Sequence, residues 1–143
     1  MPEASYSVTI ARPIDEVFAF VLDGENCTQW RPGVLDIKRL SGEGVGTRYA
    51  QGVKGPMGRR IAADYEITAL EPNRRIEFQT VTGPARPHGR YDFEPTDDGG
   101  SRLTFSLDAA ITGLRGLLLG GMVQKTMDGE VRTLDNLKRV LEG

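Results

Sequence analysis

Few side chains in this sequence could carry reaction chemistry, and their spacing limits what that chemistry can be. There is one histidine, His88, and one cysteine, Cys27, far apart in the chain. They cannot make a dedicated zinc ligand set or a serine–histidine–acid arrangement by themselves, so no metal and no cofactor is expected. His88 carries the ring best suited to moving protons near neutrality. It shares the alternation phase of Arg90 and Asp92, opposite Tyr91 and Phe93, which puts it on an outward, structural face. A bulge at "PHG" would instead turn it into a pocket. Glu130 is the acid that lies beside Met127 and Leu134 on the C-terminal apolar stripe. At the stripe's edge it is solvated; turned inward, burial would raise its pKa and make it an acid or base. With Tyr65, these are the candidates for proton transfer. The glycine-rich "GEGVGT" (Gly42 to Thr47) lacks the lysine and following helix of a phosphate loop and reads as a turn.

Neutral polar groups are more informative. Thr47, Tyr49, Gln51, Tyr65, Thr80 and Tyr91 share the inward phase with Phe78 and Phe105. Phenols, hydroxyls and one amide inside an apolar wall need partners from protein, water or ligand. They are either satisfied packing residues or the polar points of a small-molecule pocket. Trp30 from the side of the short helices, and Leu118, Met122 and Met127 from the closing helix, complete the candidate lining. Methionines there suit varied guests, and equally fill gaps.

These groups must be positioned by a sheet. "SYSVTIA", "IAADYEIT", "RIEFQTV", "RYDFEP" and "RLTFSLD" each alternate apolar and polar residues with period two. Such strands form an antiparallel sheet that is covered on one face and wet on the other. "LEPNRR", "PTDDGGS" and "VKGPMGRR" supply hairpin turns, with "VLDIKRL" and "GTRYAQGVK" as weaker strands, about seven strands in all. Asp64, Glu66, Glu77 and Asp92 then face water. "RPIDEVFAFVLD" has the proline, acids and apolar spacing of a helix start, and "ENCTQWRPG" follows as a turn or second short helix stopped by Pro32. From Val123 to Leu141 apolar residues recur every three or four, giving one long amphipathic helix.

Composition narrows the class. A chain of 143 residues with 27% charged and 38% hydrophobic residues is an ordinary globular domain, expected to span 1–143 as one unit. A net charge of −2 argues against non-specific nucleic-acid binding. One cysteine permits no internal disulfide, "MPEASYSVTI" is no signal peptide, and "LLLGGMV" is too short for a membrane span, so a cytoplasmic protein is expected.

The stretches "VTIARPIDEVFAFVLD", "WRPGV", "GEGVGTRYAQ", "YEITALEPNRRIEFQ", "YDFEPTDDGGSRLTF" and "LDNLKRVLEG", in this order, resemble the SRPBCC, or START-like, superfamily, which includes polyketide cyclase/dehydrase and lipid-transport-like proteins. The resemblance implies an α+β helix-grip fold: a curved antiparallel sheet wraps a long C-terminal helix and leaves a cavity between them. In "GLRGLLLGGM" the glycines then permit close approach or leave room for a guest at the cavity mouth. A leucine-plugged loop and a homodimer contact are the other readings of that segment. Three functions follow. The first is binding of a small hydrophobic molecule of the aromatic polyketide, lipid or isoprenoid class. The second is a polyketide cyclase/dehydratase-type enzyme, and the third a protein-interaction domain.

Overall fold

The computed structural model describes residues 3–83, 86–109 and 124–143. Strand β1 (Glu3–Ile10) leads into helix α1 (Ile14–Leu22) and a 3-10 turn (Gly24–Gln29). Seven more strands follow: β2 (Val34–Ser41), β3 (Arg48–Lys54), β4 (Arg60–Ala62), β5 (Tyr65–Glu71), β6 (Arg75–Thr80), β7 (His88–Pro95) and β8 (Ser101–Asp108). Residues 124–131 are helical (α2), and α3 (Leu134–Glu142) closes the chain. The sheet is antiparallel in the order β1-β8-β7-β6-β5-β3-β2, with short β4 paired to β3. This is the expected helix-grip arrangement of sheet and C-terminal helix.

The alternation works as the side-chain period requires. In β7, Gly89, Tyr91 and Phe93 are buried while Arg90 and Glu94 are exposed; in β8, Leu103, Phe105 and Leu107 are buried beside them. The covered face receives Val17, Phe18 and Val21 of α1, Met127 and Val131 of α2, and Leu134 and Leu137 of α3. Each such side chain stabilises the fold by about 1.5–3 kcal/mol through removal from water. Polar ties fix the helix on the sheet: the Tyr6 hydroxyl donates to Asp135 Oδ1 at 2.9 Å, and the Ala11 amide to Glu142 Oε2 at 2.8 Å. Between β6 and β7, Phe78 lies across Gly89, where a Cβ would stand 2.0 Å from the ring's Cζ; only glycine leaves room for that ring.

Two expectations from the sequence are corrected. "IAADYEIT" is not one strand. The Ala63 amide donates to Gln51 O at 2.8 Å, the Asp64 carboxylate accepts the Gln51 amide at 3.0 Å, and the Asp64 amide donates to Thr82 Oγ1 at 2.7 Å. These bonds interrupt the ladder between β4 and β5 and take Asp64 out of its predicted water-facing role. The C-terminal helix is likewise broken. The Thr133 hydroxyl and amide both donate to the Glu130 carbonyl, and the Asp135 amide donates to Arg132 O at 3.1 Å. Such three-residue steps tighten the backbone, and a back-bonding threonine bends a helix.

Candidate functional site

The 3-10 turn that follows α1 supplies residues the alternation of strands cannot. The Asp23 carboxylate caps it by accepting the Glu25 amide at 3.1 Å, and the Trp30 and Arg31 amides both donate to Cys27 O, at 3.1 and 2.8 Å. Cys27 and Trp30 are 4% and 2% exposed. Arg31 stands one turn beyond Cys27 on the same face and is carried inward with them. It is buried, at 8% exposure.

An unpaired charge there would be prohibitive, and the structure pairs it. Arg31 Nε donates to Glu130 Oε1 of α2, and Nη1 donates to Gln51 Oε1 of β3 at 3.1 Å. Nη1 also lies 3.5 Å from Cys27 Sγ. Gln51 in turn donates from Nε2 to Ala63 O at 3.0 Å, which fixes its amide so that the oxygen faces Arg31. Burial works against the Arg31 charge, but the Glu130 carboxylate holds its pKa well above the ordinary guanidinium value.

Around this pair runs an aromatic wall. Tyr49 stacks on Tyr65 with centroids 5.0 Å apart, Tyr65 meets Phe78 at 5.2 Å, Phe78 meets Tyr91 at 5.9 Å, and Tyr91 stacks on Phe105 at 4.4 Å. Trp30 packs edge-on against Tyr91 at 6.4 Å. Burial raises the Tyr65 and Tyr91 pKa values, with Arg31 acting the other way but outweighed, so both phenols keep their protons at neutral pH. The Tyr49 hydroxyl accepts the Gly24 amide at 3.2 Å, and a Cβ on Gly24 would stand only 2.2 Å from the Tyr65 hydroxyl oxygen. Gly24 is therefore the floor on which both phenols rest.

Between these rings is a void of about 20 Å3, bordered by Leu22, Arg31, Tyr65, Ile76, Phe78 and Tyr91, among others. That is room for one water. The border of this void is made of rings that interdigitate with aliphatic side chains and the Arg31 guanidinium. A larger concavity, about 500 Å3, lies elsewhere as an open groove bordered by Glu3, Ser5, His88, Arg90, Ser106 and Asp108. His88 is there, on the outward phase, with Nε2 3.0 Å from Glu77 Oε1 and Nδ1 3.7 Å from Asp108 Oδ1. No bulge turns it toward Arg31.

The structure therefore brings together Trp30, Tyr49, Gln51, Tyr65, Phe78, Tyr91, Phe105 and Glu130. Thr80 is buried opposite Tyr65, and Met127 is buried in the same core. Thr47 is buried too, but its hydroxyl donates to Gly44 O at 2.7 Å within a turn. Leu118 and Met122 lie outside the described residues. Glu130 is not at the solvated edge of its stripe; it meets Arg31. Arg31 and Cys27 escaped sequence reasoning, although "CTQWR" held the signal: Cys27, Trp30 and Arg31 fall three and four apart, on one helical face.

A protein-family profile described as polyketide cyclase / dehydrase and lipid transport matches residues 1–142. The chain belongs to this family. Solved structures agree on the fold. A protein of Thermus thermophilus superposes with TM-score 0.81 at 25% identity, over 96% of this chain and 95% of that one. A START superfamily protein of Mycobacterium smegmatis gives TM-score 0.78 at 18% identity, over 98% and 97% of the two chains. The Zhui aromatase/cyclase of a Streptomyces species gives 0.71 at 18% identity, over 99% and 91%. No curated protein sequence matches the chain significantly. The family model bears out the polyketide cyclase/dehydrase and lipid-transport side of the resemblance read from the sequence, and the solved structures bear out its fold. Among the described residues, no helix is long and apolar enough to cross a membrane, and no cluster of three or more His, Cys, Asp or Glu is arranged to hold a metal ion.

Proposed function

We propose that this family member binds a small, mainly apolar molecule between the inner face of the sheet and its closing helices, at the aromatic wall beside Arg31. One observation carries the reading: a buried arginine, held by Glu130 and Gln51, borders a void inside a wall of aromatic rings. Small-molecule sites are built this way, from apolar walls and a few fixed polar groups. A guest needs far more than 20 Å3, since such sites span about 300–1,000 Å3. A guest seated at this void therefore requires neighbouring side chains to part. Such opening makes affinity depend on how readily the core yields.

Trp30, the chain's one tryptophan, reports on the event, since its ring packs on Tyr91. Titration with a panel of aromatic, fatty and isoprenoid compounds should give a saturable fluorescence change for at least one class. A flat response across the panel, with mass spectrometry finding no co-purified compound, would overturn the proposal.

An enzyme of the cyclase or dehydratase type is the second reading, favoured by Arg31 and the two phenols that border the void. A fixed guanidinium can polarise a carbonyl. Binding ranks first because the same groups are poor at proton transfer: the raised phenol pKa values keep both protons in place, and a guanidinium does not release its own. Turnover of a poly-carbonyl substrate, followed by product mass, would promote this reading.

A further inference from the structure

We propose that β2 is a docking edge for a second copy of this chain, the two strands pairing antiparallel about Ile37 so that one sheet runs through both molecules. The proposal does not depend on the binding reading above.

The two edges of the sheet differ. β1 is covered: Gln124 bonds both the amide and the carbonyl of Glu3, at 3.1 and 2.6 Å, Lys138 donates to the Thr9 carbonyl, and Glu142 accepts the Ala11 amide. β2 ends the strand order on the other side, and Asp36, Lys38, Arg39 and Leu40 along it are exposed. From Asp36 to Arg39 it pairs regularly with β3, between two bulges. Within that stretch Ile37 stands opposite Gln51, whose own amide and carbonyl point away, to Asp64 Oδ1 and the Ala63 amide. Ile37 and Gln51 are therefore a non-hydrogen-bonded pair, and the Ile37 N–H and C=O face the open edge. Arg39 has the same phase, but Glu25 Oε2 accepts its amide at 3.1 Å. An edge with a free donor and acceptor is a template for another strand.

Phase and charge together choose the register. An antiparallel pair joins residues that share a face, so this stretch can meet its own copy with Ile37 against Ile37, Ile37 against Arg39, or Arg39 against Arg39. The last two need the Arg39 amide that Glu25 already holds, and they set Lys38 against Lys38 or Arg39 against Arg39. Pairing at Ile37 needs only free groups. It also places Asp36 of each copy opposite Lys38 of the other, in the closer, non-hydrogen-bonded positions. Among the described residues Lys38 makes no ion pair within its own chain. Asp36 accepts from Arg60 at both oxygens, at 2.7 and 2.8 Å, and a carboxylate has lone pairs left for a lysine. Leu35 and Leu40, 46% and 57% exposed, flank the stretch with apolar surface that pairing covers. Such self-complementarity is what a two-fold contact requires.

Sedimentation velocity of the full chain over roughly 10–1,000 μM tests this, a range suited to a contact smaller than that of a stable dimer. The wild type should dimerise as its concentration rises, and less so at high salt. Asp36→Lys or Lys38→Asp alone turns both ion pairs into like-charge pairs and should weaken the dimer about tenfold or more. Mixed in equal amounts, the two variants should form a heterodimer of wild-type strength, since every facing pair is again opposite in sign. Both side chains are exposed, so each variant should keep the wild-type circular dichroism. A wild type that stays monomeric throughout, a dimer indifferent to both reversals, or a mixture no stronger than its parts would each overturn the proposal and leave the binding reading untouched.

Discussion

The pair of Arg31 and Glu130 should respond asymmetrically to removal of either partner. Its two side chains differ in access to water, with 10% of Arg31 and 22% of Glu130 exposed. A guanidinium left without its carboxylate keeps its charge, since it does not deprotonate in proteins. A carboxylate left without its arginine can take up a proton or recruit water through its more exposed side. Breaking a buried pair costs about 3–5 kcal/mol when the remaining charge has no escape. Glu130→Met should therefore destabilise by about 3 kcal/mol, at the lower end because the site is not fully sealed. Arg31→Met should cost about 1–2 kcal/mol, close to that of an imperfectly satisfied polar group. The double variant should recover most of the loss, as apolar replacement of a whole buried pair is often neutral. For a chain of 143 residues, each kcal/mol moves Tm by about 3–5 °C. Calorimetric melts of the four proteins form a double-mutant cycle. Additive losses, or Arg31→Met as the worse single variant, would refute the reasoning.

Gly24→Ala should destabilise by about 1–3 kcal/mol in urea titration, through overpacking against Tyr65 and Tyr49, since its methyl would sit 2.2 and 2.8 Å from their atoms; an unchanged midpoint would mean the two rings do not rest on that backbone. Gly89→Ala should cost a similar amount of about 1–3 kcal/mol, and Phe78→Leu in the same chain should restore part of it, because the three atoms nearest the added methyl all belong to that ring. Stability should also fall in alkali. The folded-state pKa values of Tyr65 and Tyr91 are raised above 10.0, so their contribution is complete below that pH and is lost as pH climbs from there toward the folded values. The decline reaches at most about 1.4 kcal/mol per pH unit for each tyrosine. Urea midpoints on either side of this boundary should show it, and Tyr65→Phe/Tyr91→Phe should flatten it; an equal slope in the double variant would contradict the burial argument.

Alternation made much of the sheet legible. "RYDFEP" and "RLTFSLD" place Tyr91 and Phe105 on the covered face, and the register pairs those two residues directly. The phase of His88 was equally readable, and it stands outside with Glu77. Arg31 was not, for a physical reason. Charged side chains are taken as solvated unless a partner is known. Its partner Glu130 lies 99 residues away, a distance no local pattern spans. Similarly, the break between β4 and β5 is set by bonds from Asp64 to Gln51 and Thr82, which belong to other segments. Thr47 shows a third limit: alternation gives the direction of a side chain, but its hydroxyl partner, Gly44 O, is chosen by the turn.

The pairing of β1 with β8, from Glu3↔Asp108 to Ile10↔Ser101, has a bearing on biosynthesis. The ribosome releases the first strand roughly a hundred residues before its ladder neighbour. At about 5–20 residues per second, that strand waits some seconds with unmatched amides and an apolar flank. Completion of the sheet is thus a late, long-range closure, slow by the standards of chains rich in local contacts. During that interval the nascent polypeptide is most open to sticking to its neighbours, or to capture by a chaperone.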